Sequence, residues 1–159
     1  MPSRELLEFE NAKIIFRNFE GRASKFNAEG KRNFCLIINP ADVDAMRADG
    51  WNVKETKPRN EDDPVEYYIK VNLNYASRIQ PKVYMIAGRK KTLLTEQTVG
   101  ELDFAEIQHI DLIISPYHWT RDTDSGVSAW VSKMYVEILE DRFADKYNFD
   151  NDAEELPFD

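Results

Sequence analysis

The sequence predicts an all-β protein with one or two short helices, folded as a small closed or partly open barrel with long hairpin loops. Roughly six short segments cluster or alternate apolar residues between turn signals. No helix recurs between these segments, as it would in an α/β sheet. At 159 residues, with 42% apolar and 12% aromatic residues, the chain has enough material for one core.

The first half of the chain predicts two strands and the first helix. Residues 8–19 contain an apolar run between charged residues, and residues 33–38 form a second run that ends at Asn39-Pro40. A long loop rich in Gly, Lys and Arg separates them. Residues 40–50 begin with a proline and end in Gly50, which predicts a short helix.

The second half carries the clearest alternation, at residues 65–75, where every second residue from Tyr67 to Tyr75 is apolar or aromatic. This pattern predicts a half-buried strand. Residues 99–108 fit a helical turn or an irregular crossover. The other predicted strands share a short apolar run between turn residues and lie at 82–88, 110–115, where Pro116 ends the run, and 127–140. The basic turn at 88–91 leads to residues 92–95, which fit another hairpin.

The hydropathy pattern and the cysteine count predict where the protein is located and whether it can form disulfides. No stretch approaches the roughly 20 apolar residues of a membrane span, and the N-terminus is too polar for a secretory signal. We therefore expect a cytoplasmic protein without a membrane partner. Cys35 is the only cysteine, which excludes an internal disulfide or a Cys-based zinc site and predicts a buried thiol.

The net charge of −8 is unevenly distributed. Five acids and no base lie between Tyr147 and the end, which leaves 21 Lys and Arg against 24 of the 29 Asp and Glu in residues 1–146. The body is therefore close to charge balance. A basic face on it is compatible with this composition.

Catalytic signatures are weak. His109 and His118 are the only histidines and form no metal-binding motif, and the sequence has no nucleophile elbow and no phosphate-binding glycine loop. The acids at 61–63 fit a solvated loop. The D-x-D-x-G pattern at 122–126 lacks the distal glutamate of a calcium loop and fits a hairpin turn. We expect no enzyme activity, no metal and no cofactor.

Basic and aromatic residues are interleaved on three predicted strands and two loops. With Ile14 and Phe16 pointing inward, alternation would place their odd-numbered neighbours on the outer face. Single-stranded nucleic acid needs this mixture, because cations follow the phosphates and aromatic rings stack on any base for about 1–3 kcal/mol each. The candidate DNA-binding residues on strands are Lys13, Arg17, Phe19, Tyr68, Lys70, Asn72, Lys133 and Tyr135. Those in loops are Arg22, Lys25, Phe26, Lys31, Arg32, Arg89, Lys90, Lys91 and Trp119.

A structural alternative stays open for each residue taken singly, because aromatic residues of small barrels more often pack than stack on bases. For Trp119 the two roles are equally compatible with its loop, whereas packing is favoured for Trp51. A duplex reader is disfavoured, since the predicted helix carries three aspartates against Arg47.

The chain ends in NFDNDAEELPFD, in which acids precede an apolar Leu-Pro-Phe. With this ending, the loop GRASKFNAEGKRNF and the basic-aromatic mixture, the sequence resembles single-stranded DNA-binding proteins of the OB-fold class, particularly those of bacteriophages. The resemblance implies an OB-fold-like small β-barrel with a disordered acidic C-terminal tail. It also implies that the tail recruits replication and repair enzymes and competes with DNA for the binding groove.

Carried onto this chain, the resemblance assigns partner binding to tail residues that join acidic and apolar side chains: Asp152, Glu154, Glu155, Leu156, Pro157 and Phe158. In the bacterial pattern the phenylalanine is the last residue, whereas here Asp159 follows it. Physically, a tethered anionic segment mimics phosphate at high effective concentration, so we expect it to weaken DNA binding.

These observations predict two parts, an OB-fold single-stranded DNA-binding domain at 1–146 and a disordered acidic protein-interaction tail at 147–159. The expected function is to bind single-stranded DNA without sequence preference, to protect it in phage replication and recombination in the bacterial cytoplasm, and to recruit partners. One alternative is an acidic DNA mimic or inhibitor of a host protein; another is a structural phage barrel that assembles into rings or tubes. The sequence leaves the oligomeric state open.

Overall fold

The structure, a computed structural model, describes residues 6–25, 27–58 and 60–139. Within these ranges the chain forms nine strands, one α-helix and one 3-10 helix. The strands are β1 (Leu7–Phe9), β2 (Ile14–Asn18), β3 (Arg32–Ile38), β4 (Lys54–Glu55), β5 (Tyr67–Leu73), β6 (Lys82–Ala87), β7 (Lys90–Leu94), β8 (Ile107–Arg121) and β9 (Asp124–Ile138). The helices are α1 (Pro40–Ala48) and the 3-10 helix Val99–Asp103. The predicted all-β class is confirmed.

Helix α1 begins and ends as its sequence predicts. The Asn39 side chain caps it by accepting a hydrogen bond from Ala41 N at 3.0 Å, and Pro40 occupies the first turn. Gly50 lies just beyond its end at φ +99°, a conformation that favours glycine. No helix in the described ranges is long and apolar enough to cross a membrane.

The strands form one sheet with the path β1-β8-β9-β5-β3-β2. Strands β5 and β6 both pair in parallel with β9, and the other pairings are antiparallel. The strands at the two ends of this path, β1 and β2, do not pair with each other, yet they are consecutive in the chain. Between them, Ala12 N donates to Ile110 O at 2.7 Å and Ile37 N donates to Lys13 O at 2.9 Å. The N-terminal segment thus links β8 to β3 and curls the sheet around its core.

The core consists of the inward residues of each strand. On β5 these are Ile69, Val71 and Leu73, as the alternation predicts. Trp51 is also buried, and its Nε1 donates to Asp49 Oδ2 at 3.3 Å, which confirms the packing interpretation. The residues that alternate with the buried ones form the outer surface of the sheet.

A bulge in β2 overturns the predicted orientation of two phenylalanines. The register shifts between Ile15 and Asn18, and Phe16 adopts φ +53°, a strained conformation for a bulky residue. Alternation is interrupted, so Phe16 is 65% exposed, whereas Phe19 is fully buried and stacks on Phe34 with ring centroids 5.3 Å apart. Placing Phe16 inward and Phe19 on the outer face was therefore wrong.

Two predicted strand boundaries were also wrong. Residues 8–19 form two strands because β1 pairs with β8 and β2 with β3. The predicted end at Pro116 does not occur, since β8 continues to Arg121 with Pro116 opposite Ala129. Pairing with β1 ends at Ile114, so the missing N–H of Pro116 costs no ladder bond on that side.

Candidate nucleic-acid interface

The outer face of the sheet around β2, β4 and β5 brings together cations and aromatic rings from distant parts of the chain. Strand register places Tyr68 opposite Ile37 on β3 and opposite Lys54 on β4. Lys13 lies opposite Ile37 by its backbone hydrogen bond, and Lys70 lies one step along the same face of β5. We call this surface, formed by Lys13, Phe16, Lys54, Tyr68 and Lys70, the Tyr68 face.

Two rings form the centre of the Tyr68 face. Phe16 and Tyr68 meet edge to face with centroids 5.7 Å apart and planes at 76°. All three lysines of the face are exposed. The bulge that strains Phe16 is what brings its ring to this surface, and strained residues concentrate at functional sites.

Cys35 is half-buried on the same outer side of the sheet, opposite Lys70 in the strand register. Burial raises the pKa of the Cys35 thiol, while the positive charges of Lys70 and Lys54 act in the opposite direction. The thiol is therefore a neutral group at physiological pH. Its pKa is sensitive to anything that neutralises the two lysines.

A depression of about 430 Å³ adjoins the Tyr68 face. Lys54, Lys70, Asn72 and Trp119 contribute to its lining, and Asn72 Nδ2 donates to Ala129 O at 3.3 Å. The Trp119 ring covers Gly126, where an added Cβ would lie 2.6 Å from the ring. Three predicted site residues, Lys70, Asn72 and Trp119, thus meet in one place.

A second cluster, which we call the Tyr84 face, covers β6, β7 and β9. Tyr84 and Tyr135 stack with centroids 5.2 Å apart, and Lys91 Nζ lies 5.0 Å from the centroid of the Tyr84 ring. Lys82 and Lys133 are register partners on the same side of the sheet. The predicted residues Lys91, Lys133 and Tyr135 therefore share a surface.

Acids border the Tyr84 face. In the register, Asp111 lies opposite Tyr135, and Glu137 lies opposite His109. Asp111 Oδ1 accepts from Asn11 N at 3.1 Å and lies 3.0 Å from His109 Nε2. No group of three His, Cys, Asp or Glu in the described residues could hold a metal ion.

Three predicted contact arginines hold the fold together. Arg17 Nη1 donates to Leu102 O and Ala105 O, both at 2.8 Å. Arg22 lies 3.8 Å from Asp103 and 5.9 Å from the centre of the Phe104 ring. These contacts join β2 and the segment after it to the 3-10 helix and the two residues that follow that helix.

Arg32 is the third, with its side chain 17% exposed. Its guanidinium donates to Gly30 O and Glu96 O and lies 3.8 Å from Glu96 Oε1. The predicted basic loop is thus partly neutralised within the fold. Lys25, Lys31, Arg89 and Lys90 are exposed, and Phe26 and the tail residues lie outside the described ranges.

Sequence reasoning missed Phe16, Lys54, Lys82 and Tyr84 as site candidates. Tyr84 could have been found, because it alternates with Val83 and Met85 in a predicted strand. Lys54 belongs to a two-residue strand that gives no periodic signal. Phe16 depends on a bulge, which no apolar pattern shows.

The chain matches known proteins by sequence family and by fold. A family model described as "Putative phage ssDNA-binding domain" matches residues 2–156. No curated protein matches the sequence. Similar folds occur in structures of the single-stranded DNA-binding protein from bacteriophage Enc34. One structure of that protein matches with a TM-score of 0.50 and 10% identity, over 82% of this chain and 79% of that chain.

Two further Enc34 structures are similar. The C-terminal truncation matches with a TM-score of 0.52 and 9% identity, over 86% of this chain and 87% of that one. The complex with ssDNA matches with a TM-score of 0.53 and 10% identity, over 86% and 88%. At this identity the likeness concerns the fold. Since the family model covers nearly the whole chain, the protein belongs to the phage ssDNA-binding domain family.

Proposed function

We propose that the protein binds single-stranded DNA, without strong sequence preference, across the Tyr68 face. The observation that carries this proposal is the Phe16–Tyr68 ring pair, 5.7 Å apart, among three exposed lysines. The rings offer stacking surfaces that any base can use, and the lysines follow the phosphates. Family membership and the fold shared with a protein solved in complex with ssDNA support the same conclusion.

Strand order supports an OB-fold interpretation of the barrel. With β1 and β2 taken as one bent strand, β3, β5, β8 and β9 follow as strands two to five, and the third pairs in parallel with the fifth. OB-folds bind oligonucleotides with the face of strands two and three and with the loops after strands one and four. These correspond to the Tyr68 face, the basic loop before β3 and the β8–β9 turn beside Trp119.

In this proposal the protein acts as a non-enzymatic coat that protects single-stranded DNA during phage replication or recombination. Its tail, through Asp152, Glu154, Glu155, Leu156, Pro157 and Phe158, recruits partner enzymes and competes with DNA. The sequence pattern alone supports the tail's role. Deleting residues 148–159 should raise single-stranded DNA affinity at low salt, and an unchanged affinity argues against competition.

A fluorescence titration with oligo-dT tests the central proposal. We expect tryptophan quenching that weakens steeply with salt, because added salt reduces the free energy gained when counterions are released from the DNA. We also expect weaker binding to a duplex of equal length. Absence of binding at low salt would overturn the proposal. It would also favour the alternative of an acidic protein that binds a host protein.

A further inference from the structure

The loop between β5 and β6 covers a pocket that the Tyr68 face does not include. Both strands pair with β9 on the same edge, β5 through Asn72↔Trp130 and β6 from Lys82↔Lys133 onward. Between these pairings the loop at residues 74–81 crosses the edge of β9 without joining the ladder. A pocket of about 560 Å³ opens there, within the size range of small-ligand sites. We call it the Trp130 pocket.

The lining of the Trp130 pocket has the chemistry of a nucleotide site. Trp130 and Tyr117 supply rings, and the Tyr117 side chain is 59% exposed. Arg78 supplies a guanidinium for a phosphate or a base, and Ser77, Ser115 and Ser132 supply hydroxyl groups. No acid lines the pocket.

A third depression shows that a ring and an arginine do not always occur without carboxylates on this protein. A space of about 550 Å³ beside Phe104 also combines a ring with an arginine, Arg32. Its lining, however, includes Glu20, Glu96 and Glu101. Three carboxylates repel a phosphate backbone, whereas the Trp130 pocket offers a positive charge without an opposing one.

Position along β9 connects the pocket with both clusters described above. Asn72, beside the Tyr68 face, pairs with Trp130 on the pocket floor. At the other end, Ser132 precedes Lys133, which pairs with Lys82 at the start of the Tyr84 face. From Ala129 to Val136 the strand extends about 23 Å, at roughly 3.3 Å per residue. A strand leaving the Tyr68 face along β9 therefore reaches the pocket before the Tyr84 lysines.

We propose that the Trp130 pocket binds one nucleotide of the same single strand and joins the Tyr68 and Tyr84 faces into one continuous DNA track. This inference rests on the proposed function and deepens it. The track places Lys54 and Lys70 before the pocket and Lys82, Lys91 and Lys133 after it. The protein thus needs a long strand to reach its full affinity.

Oligonucleotide length separates this inference from the proposed function. We would measure affinities for dT strands of about 4 to 16 nucleotides, the range of OB-fold site sizes. The double variant Arg78→Ala/Tyr117→Ala should lose about tenfold in affinity for long strands and little for the shortest strands that bind. Phe16→Ala should weaken binding at every length. The exposed pair Arg47→Ala/Phe104→Ala is the matched control, since it removes equal charge and one ring away from the proposed track.

Each outcome decides one point. If Phe16→Ala weakens binding but the pocket variant equals the control at all lengths, the track is wrong and the proposed function stands. If wild-type protein binds no strand, the proposed function itself fails. Free thymidine monophosphate tests whether the pocket binds a free nucleotide instead of one within a DNA strand. If the protein binds the monophosphate as tightly as a long strand, the pocket is a mononucleotide site and the track is wrong. Thermal melting must show that both double variants are folded.

Discussion

Two exposed phenylalanines have opposite surroundings. Phe16 is 65% exposed and Phe104 is 77% exposed, and each has basic residues nearby. Lysines surround Phe16 and keep their charge available. Beside Phe104, the nearby cation Arg22 lies 3.8 Å from both Glu20 and Asp103, and carboxylates line the depression. A ring and a cation make a nucleic-acid site only where the cation is not already neutralised.

The largest effect should come from reversing the charges on the Tyr68 face. In Lys54→Glu/Lys70→Glu two cations become anions, so phosphates are repelled where the proposed function has them bind. We expect roughly a hundredfold loss of oligo-dT affinity at low salt and a smaller salt slope. Lys54→Arg/Lys70→Arg keeps both charges and should bind as the wild type does. Equal binding by the glutamate variant would remove this face from the phosphate path.

The two phenylalanines themselves give the next effect. Phe16→Ala removes a stacking surface and should weaken oligo-dT binding about tenfold, since stacking contributes about 1–3 kcal/mol per base. Phe104→Ala removes an equally exposed ring beside carboxylates, and its affinity should stay within about twofold of the wild type. Equal losses of affinity in the two variants would contradict the contrast between the surroundings of Phe16 and those of Phe104.

Cys35 reports on the Tyr68 face without any substitution. Burial raises the pKa of this thiol, so alkylation should be slow at neutral pH and should accelerate as the pH rises through the alkaline range. In the proposed binding mode, DNA neutralises Lys70 and Lys54, which lower this pKa, and covers Cys35 on the same side of the sheet. Mass spectrometry should therefore show alkylation slowed severalfold by oligo-dT. A rate that DNA leaves unchanged means that the strand lies elsewhere.

The smallest predicted effect concerns Tyr75, near Arg32 and Glu96, and is a change in folding stability at alkaline pH. Burial raises its pKa to about 12, with Arg32 lowering it and Glu96 raising it, and its hydroxyl is buried without a hydrogen-bond partner. Unfolded tyrosine titrates near about 10, so the neutral form stabilises the fold fully below that pH, and this contribution is lost between about 10 and 12. In urea titrations, Tyr75→Phe should abolish this part of the alkaline loss and leave DNA affinity unchanged. An identical pH profile for the two proteins would contradict it.

Alternation was enough to predict β5, because one side of that strand packs on the core and the other does not. It placed Tyr68, Lys70 and Asn72 on the outer face, and the buried Ile69, Val71 and Leu73 confirm that placement. Their role in DNA binding stays a prediction. Short strands such as β4 carry too few residues for any period to be read.

Two other features were out of reach for different physical reasons. The bulge at Phe16 is a backbone event that reverses alternation without changing composition. Arg17 and Arg32 are engaged by partners 64 to 88 residues away: Arg32 donates to Glu96 O, and Arg17 donates to Ala105 O. Local sequence shows a charge but not the distant carboxylate or carbonyl that engages it.

The place of β9 in the sheet also determines when the protein can fold. This strand pairs with β5, β6 and β8, and it is the last strand of the described chain. During synthesis, β2, β3 and β5 can associate early, but β5, β6 and β8 cannot be joined in one sheet until β9 is complete at Ile138. Pairings of such high sequence separation fold in milliseconds to seconds rather than microseconds. A nascent chain therefore has the strands of the Tyr68 face before its core is complete, and depends on completing β9 quickly to avoid aggregation.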